Sequence, residues 1–336
     1  MLYQRTLTRR QLLAGASGAA AACLLAGCHN VANVAPTTQP GAGAGHPTTR
    51  PNDPDAIIDI HQHTTYRGRS NEALFHHQYK MGVTQTILLP GGSPVDTPAT
   101  LKGKANGLYA GAGTVDTCIP IARQYPHVFY FAANEVPDIP EARQRIESAL
   151  RQGGVCIGEQ KFNLPVDSPQ MEMIYSIAQE YRVPVLMHFQ YEMFNTGYER
   201  FGDVLKKWHR VTFIGHANTF WTNIDAKADQ KVGYPKGKVT PGGLTDRYLS
   251  DHANFYADMS AYSGLNALIR DEDHARGFIA RHYRRMMFGS DCPDPAGEGP
   301  TCSGANMIAA IRRLSSGKSV ERKILHDNAK TVFKLD

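Results

Sequence analysis

The sequence predicts an α/β protein, a (β/α)8 barrel, and three observations carry that prediction. Eight short runs rich in β-branched and aromatic residues alternate with helix-period segments. The part that can fold is about 280 residues, a usual length for one such barrel and a large one for most other single domains. The histidines and carboxylates able to do chemistry gather at the C-terminal ends of those runs. In a closed parallel barrel these ends surround one mouth, where active sites of this fold lie.

The order along the chain begins outside the barrel. Residues 1–28 read as an export signal, in which Arg5, Arg9 and Arg10 precede an Ala/Leu-rich run too short to span a bilayer comfortably. Within it "TRRQLL" resembles the twin-arginine type, and "LLAGC" resembles a lipobox whose cleavage leaves Cys28 as a lipid-bearing N-terminus. Residues 29–55 are rich in Pro, Gly, Ala and Thr and nearly lack large apolar side chains, so burial cannot offset their ordering entropy. They read as a flexible linker. The expectation is an exported protein, lipid-anchored to a bacterial membrane through Cys28, with the domain 56–336 standing off on its tether.

The formal charge of +5 counts 36 basic against 31 acidic residues, and setting aside the three arginines of the signal leaves +2. No basic run or aromatic stacking box accompanies this near-neutral balance, so nucleic acid is not an expected partner. Of six cysteines, Cys118, Cys156, Cys292 and Cys302 lie beyond the signal. Cys292 and Cys302 are near enough in sequence to pair across a loop, or to remain free and buried.

The eight strand runs are "AIIDIH" (56–61), "VTQTILL" (83–89), "VFYFAA" (128–133), "VCIGEQKF" (155–162), "VPVLMHF" (183–189), "VTFIGHA" (211–217), "NFYADMS" (254–260) and "RMMFGSD" (285–291). Between them, "IPEARQRIESALRQGG" carries Pro140 near its start and Gly153 after its end, and "DSPQMEMIYSIAQEYR" offers Asp167 or Ser168 as cap with Pro169 in the first turn. His61 and His63 stand two apart on the first strand, so both imidazoles face one point. Glu159 and Lys161 share parity on the fourth; His188, His216 and Asp291 end the fifth, sixth and eighth. Imidazole and carboxylate suit a divalent metal, zinc above all, with manganese, iron or nickel as alternatives.

The stretches "DIHQH", "VLMHF", "FIGHAN" and "FGSDCP", in this order, with "ILHDNAKTVFKL" as a closing helix, resemble the metal-dependent amidohydrolase superfamily and its amidohydrolase-related branch. The resemblance runs over residues 55–336. It implies that His61, His63, His188 and Asp291 are metal ligands and that His216 is a ligand of a second ion or a catalytic residue beside the first. "IGEQ" resembles the TatD-like branch, which implies Glu159 as the strand-4 ligand and leaves Lys161 to contact a substrate anion; a carbamylated strand-4 lysine also has precedent in the superfamily. Whether one ion or two are held turns on this strand. Asp291 is then also the general base that takes a proton from water.

The expected activity is hydrolysis of a carbonyl-type bond (lactone, ester or amide) in a small molecule. The alternatives are non-oxidative decarboxylation of a cyclic or aromatic acid, a TatD-like phosphoesterase or nuclease, and a non-catalytic surface binding protein. Asp258 and Ser260 are candidate substrate contacts at the end of the seventh strand. So is Trp221, in a long segment (217–243) that shows no element of its own and carries Phe220 and Tyr234. His76 and His77 read as a solvated helix face. A homo-oligomer is open, since no apolar stripe argues for one.

Overall fold

The computed structural model describes residue 53, residues 55–101 and residues 111–336. The segment expected as an export signal, Cys28 and nearly all of the expected linker lie outside the described residues.

All eight strands form where they are expected: β1 (Ile57–Gln62), β2 (Val83–Leu88), β3 (Phe129–Phe131), β4 (Ile157–Gln160), β5 (Val185–His188), β6 (Phe213–His216), β7 (Phe255–Asp258) and β8 (Met286–Met287). Every pairing is parallel, in the order β1-β2-β3 and β4-β5-β6-β7-β8. A bridge between Ala133 and Ile157 joins the two sheets, and Ile60 N–H donates to the Phe288 carbonyl at 3.1 Å to close the ring. Parallel neighbours need crossovers, and helices supply them. These are α1 (Asn71–Met81), α2 (Val115–Gln124), α3 (Ala142–Arg151), α4 (Pro169–Tyr181), α5 (Phe201–Lys207), α6 (Ala217–Thr222), α7 (Leu244–Asp251), α8 (Ala261–Ile269), α9 (Glu272–His282) and α10 (Ser303–Leu314).

The core is two-layered. Ile58, Ile60, Ile87, Ala132, Leu186, Ile214 and Met287 fill the lumen, and Phe333 and Leu335 near the C-terminus pack against them. Alternate strand residues such as Ile57, Leu88, Val185 and Phe213 face the helices instead. At α4 the cap is Ser168, whose side chain accepts from Met171 N–H, while Asp167 pairs with the Arg200 guanidinium.

Three elements differ from expectation. β8 is two residues rather than seven, because after Met287 the backbone N–H groups of Ser290 and Asp291 bond to the Asp59 carboxylate (2.9 Å) and the His61 carbonyl (2.8 Å). The segment 217–243 is not a bare loop: α6 starts directly after His216 and buries both Phe220 and Trp221. Only Tyr234 of its three named aromatics is exposed. Finally, α1 presents His76 to solvent but turns His77 fully inward.

Candidate metal centre

β1 is not a regular strand. Asp59 pairs with Thr86 and Gln62 with Leu88, so three steps on β1 match two on β2, the count of a β-bulge. With strict alternation His61 would share the outward face of Asp59, whose carboxylate accepts from Gln78 of α1 at 2.9 Å. The bulge re-aims the chain, and His61 and His63 meet at the mouth with their Nε2 atoms 3.2 Å apart. β4 carries the same irregularity, Ile157 with Val185 and Gln160 with Met187, around Glu159.

Four donor atoms converge. His61 Nε2 lies 3.3 Å from Glu159 Oε2 and 3.8 Å from Asp291 Oδ1, and His63 Nε2 lies 3.8 Å and 3.3 Å from the same two oxygens. Ligands held at about 2.0–2.1 Å around a tetrahedral ion stand about 3.3–3.4 Å from one another, so the cage has the size of a metal site. Hydrogen bonding points the same way. His61 Nδ1 sits 2.6 Å from Asp258 Oδ2 and His63 Nδ1 2.7 Å from the Leu89 carbonyl, both acceptors only, which places each ring proton on Nδ1. In the neutral rings both Nε2 lone pairs then face each other, at the point where a positive charge, a metal ion or a proton, would sit. Asp291 Oδ1 is buried and accepts no hydrogen bond. A cation satisfies all of these atoms together, so the residues fit one.

The field agrees. Burial opposes a charge on His61, yet Asp291, Asp258 and Glu159 outweigh it and raise the imidazole pKa well above its usual value. Asp291, despite the opposing burial, is held well below the ordinary carboxylate range by the His61 charge and the contact with His63. Its φ of 39° is left-handed, a conformation Asp tolerates better than most residues. Tyr66 hydrogen-bonds to this carboxylate, whose charge, together with burial, pushes the phenol pKa up and keeps it protonated.

The second half of the cluster belongs to Glu159. Its Oε1 lies 2.5 Å from His188 Nδ1 and 3.5 Å from His216 Nε2, and Asp291 Oδ2 lies 3.6 Å from the same His216 nitrogen. Each carboxylate therefore offers one oxygen to either side. His216 Nδ1 contacts Ser260 Oγ at 2.8 Å, and Ser260 in turn donates to Asp258 Oδ2 at 2.9 Å, which leaves His216 Nε2 bare. Burial first, and then the charge on His61, bring the His216 pKa down to about 4. Lys161 makes no ion pair with Glu159 among the described residues; its ammonium lies 5.5 Å from the Phe194 ring centroid, close enough to His188 to lower that imidazole's pKa after burial has done so.

Three expected contacts move. Asp258 and Ser260 do not face a substrate: both are buried behind His61 and His216, as partners that fix tautomer and ring orientation. Gly289 makes room for this, since a Cβ there would lie 2.5 Å from Asp258 Oδ1 and 2.9 Å from His61 Cβ. Trp221 is buried against Phe220 and donates its indole N–H to the Asp258 carbonyl at 3.1 Å, so it supports the site from behind. Asp59, Gln62, Arg69 and Ser290 form a further buried network under β1 and β8 that the motif spacing does not announce. A carboxylate inside an apolar strand was its one visible signal.

The amidohydrolase family profile matches residues 58–335, and the chain belongs to that family. No curated protein matches it in sequence. Among solved structures, a TIM-barrel protein of Bordetella bronchiseptica is similar at 16% identity and a TM-score of 0.57, covering 83% of this chain and 99% of that one. A TatD homologue of Escherichia coli gives 17% identity, a TM-score of 0.52 and coverage of 83% and 98%. A 5-carboxyvanillate decarboxylase of Novosphingobium aromaticivorans, complexed with manganese and a nitrobenzoic acid, gives 12%, 0.52, 88% and 100%. At these identities the likeness is one of fold.

Proposed function

We propose that this chain is a metal-dependent hydrolase acting on a lactone, ester or amide bond of a small molecule, with zinc the ion its donors suit best. The observation that carries this reading is the inward convergence of His61 Nε2, His63 Nε2, Glu159 Oε2 and Asp291 Oδ1 at separations of 3.2–3.8 Å. A divalent ion held there supplies Lewis acidity and lets water ionise near pH 7, about nine units below its ordinary value.

The chain's own residues do the remaining work. Asp291, kept ionised and with Oδ1 unpartnered, takes the proton of an attacking water. Its Oδ2 and the bare Nε2 of His216 are 3.6 Å apart, so His216 is placed to receive that proton or to hold a second ion with Glu159 Oε1, while His188, expected as a ligand, instead turns Nδ1 to Glu159 Oε1 at 2.5 Å and Nε2 to Gln190 Oε1 at 3.1 Å. Asp258 and Ser260 hold the imidazoles in the required tautomers. Tyr66 donates toward the reacting carboxylate and limits its movement.

One observation favours non-oxidative decarboxylation as a second reading. Lys161, half-buried beside His188, offers a cation to a substrate carboxylate. Turnover in oxygen-labelled water separates the two: hydrolysis incorporates the label into the organic product, and decarboxylation releases carbon dioxide and leaves the organic product unlabelled. Less than about half an equivalent of metal after reconstitution would sink both, because each needs the ion in place. We further propose export and anchoring through a lipid on Cys28. Release of a Cys28→Ser protein from the membrane fraction tests this, and continued attachment of the processed variant would refute it.

A further inference from the structure

A second group of donors lies outside the barrel mouth. Cys292 Sγ and Cys302 Sγ are 3.8 Å apart, Cys302 Sγ is 3.4 Å from His77 Nε2, and the same sulfur is 3.9 Å from Met81 Sδ. All four residues are buried and both cysteines are free thiols. We propose that His77, Cys292 and Cys302, with Met81 as the fourth neighbour, form a structural site for a soft divalent cation of the zinc class.

The spacing selects this occupant. Zinc–sulfur bonds of about 2.3 Å and zinc–nitrogen bonds of about 2.0–2.1 Å put tetrahedral sulfur–sulfur edges near 3.8 Å and sulfur–nitrogen edges near 3.5 Å. A disulfide needs the sulfurs at about 2.05 Å, far closer than they stand. Charge selects the valence. Two thiolates neutralise one dication, whereas a monovalent ion would leave a net negative charge in a dry interior. Cys302 Sγ accepts the Ala305 backbone N–H at 3.3 Å at the start of α10, which fixes the sulfur's position beside His77 and Cys292.

The surroundings are shaped for close approach. A Cβ on Gly304 would lie 2.6 Å from Met81 Sδ and 2.8 Å from Ser290 Cβ, so only glycine admits the thioether. His77 and Met81 both belong to α1, and the cysteines bracket the loop between β8 and α10. An ion here ties that loop to α1 at both ends. Because Cys292 directly follows Asp291, the same tie limits the travel of the Asp291 backbone. The proposal concerns structure alone and stands whether the mouth hydrolyses, decarboxylates or only binds.

Cobalt(II) is the probe, because thiolate ligation produces a near-ultraviolet sulfur-to-cobalt charge-transfer band that imidazole and carboxylate ligands do not. The full chain in a Cys23→Ser/Cys28→Ser background, stripped by chelator and reloaded with cobalt(II), is expected to show the band, and zinc(II) is expected to remove it. Adding His63→Ala, which attacks the mouth only, should leave the band. Adding Cys292→Ser/Cys302→Ser should abolish it. Absence of the band in the parent chain with its thiols free overturns the proposal even if the serine variant fails to fold. So does an as-isolated mass two hydrogens lighter than the reduced chain, which marks a disulfide.

Discussion

The two donor clusters are built on different supports. At the mouth, six side chains come from β1, β4, β5, β6 and the turn after β8, each set by strand hydrogen bonds and by a buried partner behind it. Under the β8–α10 loop, four side chains come from one helix and the two ends of one loop, and they are themselves core: Met81 and both cysteines pack among apolar neighbours. The first cluster presents hard and borderline donors toward an opening, with Asp291 part-exposed; the second presents sulfur in a sealed interior. A group at a strand end can be changed without unseating the strand, whereas a group inside the packing cannot. Chemistry belongs to the first arrangement and rigidity to the second.

The largest effect tests the first half of that contrast. His63→Ala should drop metal retention and turnover together to background while the thermal midpoint of the metal-free chain stays within a few degrees, about what 1 kcal/mol moves in a domain of this size. Stoichiometric metal with full turnover would remove His63 from the site. Next, Asp291→Asn keeps an oxygen donor but loses the base, so turnover should fall by about 10²- to 10⁴-fold with most of the metal retained. A wild-type rate with intact metal would refute the proton transfer assigned to Asp291.

Asp258→Asn probes the support behind the imidazoles. It should weaken metal affinity by about 10- to 100-fold, the range for losing a carboxylate behind a histidine ligand, with Lys161 and the outer rim untouched. Unchanged affinity by competition with a chelator would show that the His61 orientation is set elsewhere. On the other cluster, Cys302→Ser should lower stability of the chain by about 1–3 kcal/mol in denaturant titration, through burial of a poorly partnered hydroxyl and loss of the sulfur donor. A neutral result would mean the thiols are ordinary packing. The smallest effect is the control: His76→Ala, one residue from His77 and exposed, should shift stability by less than about 0.5 kcal/mol.

Particular residues show how far the sequence reached. The eight strands were legible because apolar runs of strand length recur between helix-period segments; seven observed strands lie inside their expected runs, and β1 extends one residue past its run, to Gln62. His61, His63, Glu159, His216 and Asp291 were legible as one cluster because strand ends share a mouth. Asp258 was visible as a residue but not in its role. Whether a carboxylate at a strand end faces a substrate or the back of an imidazole depends on a rotation of one strand against its neighbours. His77 was misplaced for a related reason: α1 has a weak amphipathic pattern, with His76 and His77 adjacent and only one of them facing in.

The sequence by itself determined the closed parallel barrel and which side chains stand at its open end, since both follow from residue type and periodicity along one chain, and its motifs carried the resemblance to the family. Tertiary structure alone decided the rest. The bulges in β1 and β4 turn His61 and Glu159 inward, Gly289 lets Asp258 reach His61, and the β8–α10 loop folds back to set Cys302 against His77 across 225 positions. These are distances between strands and loops, fixed by how the layers pack, and no local pattern encodes a separation that arises only once the barrel has closed.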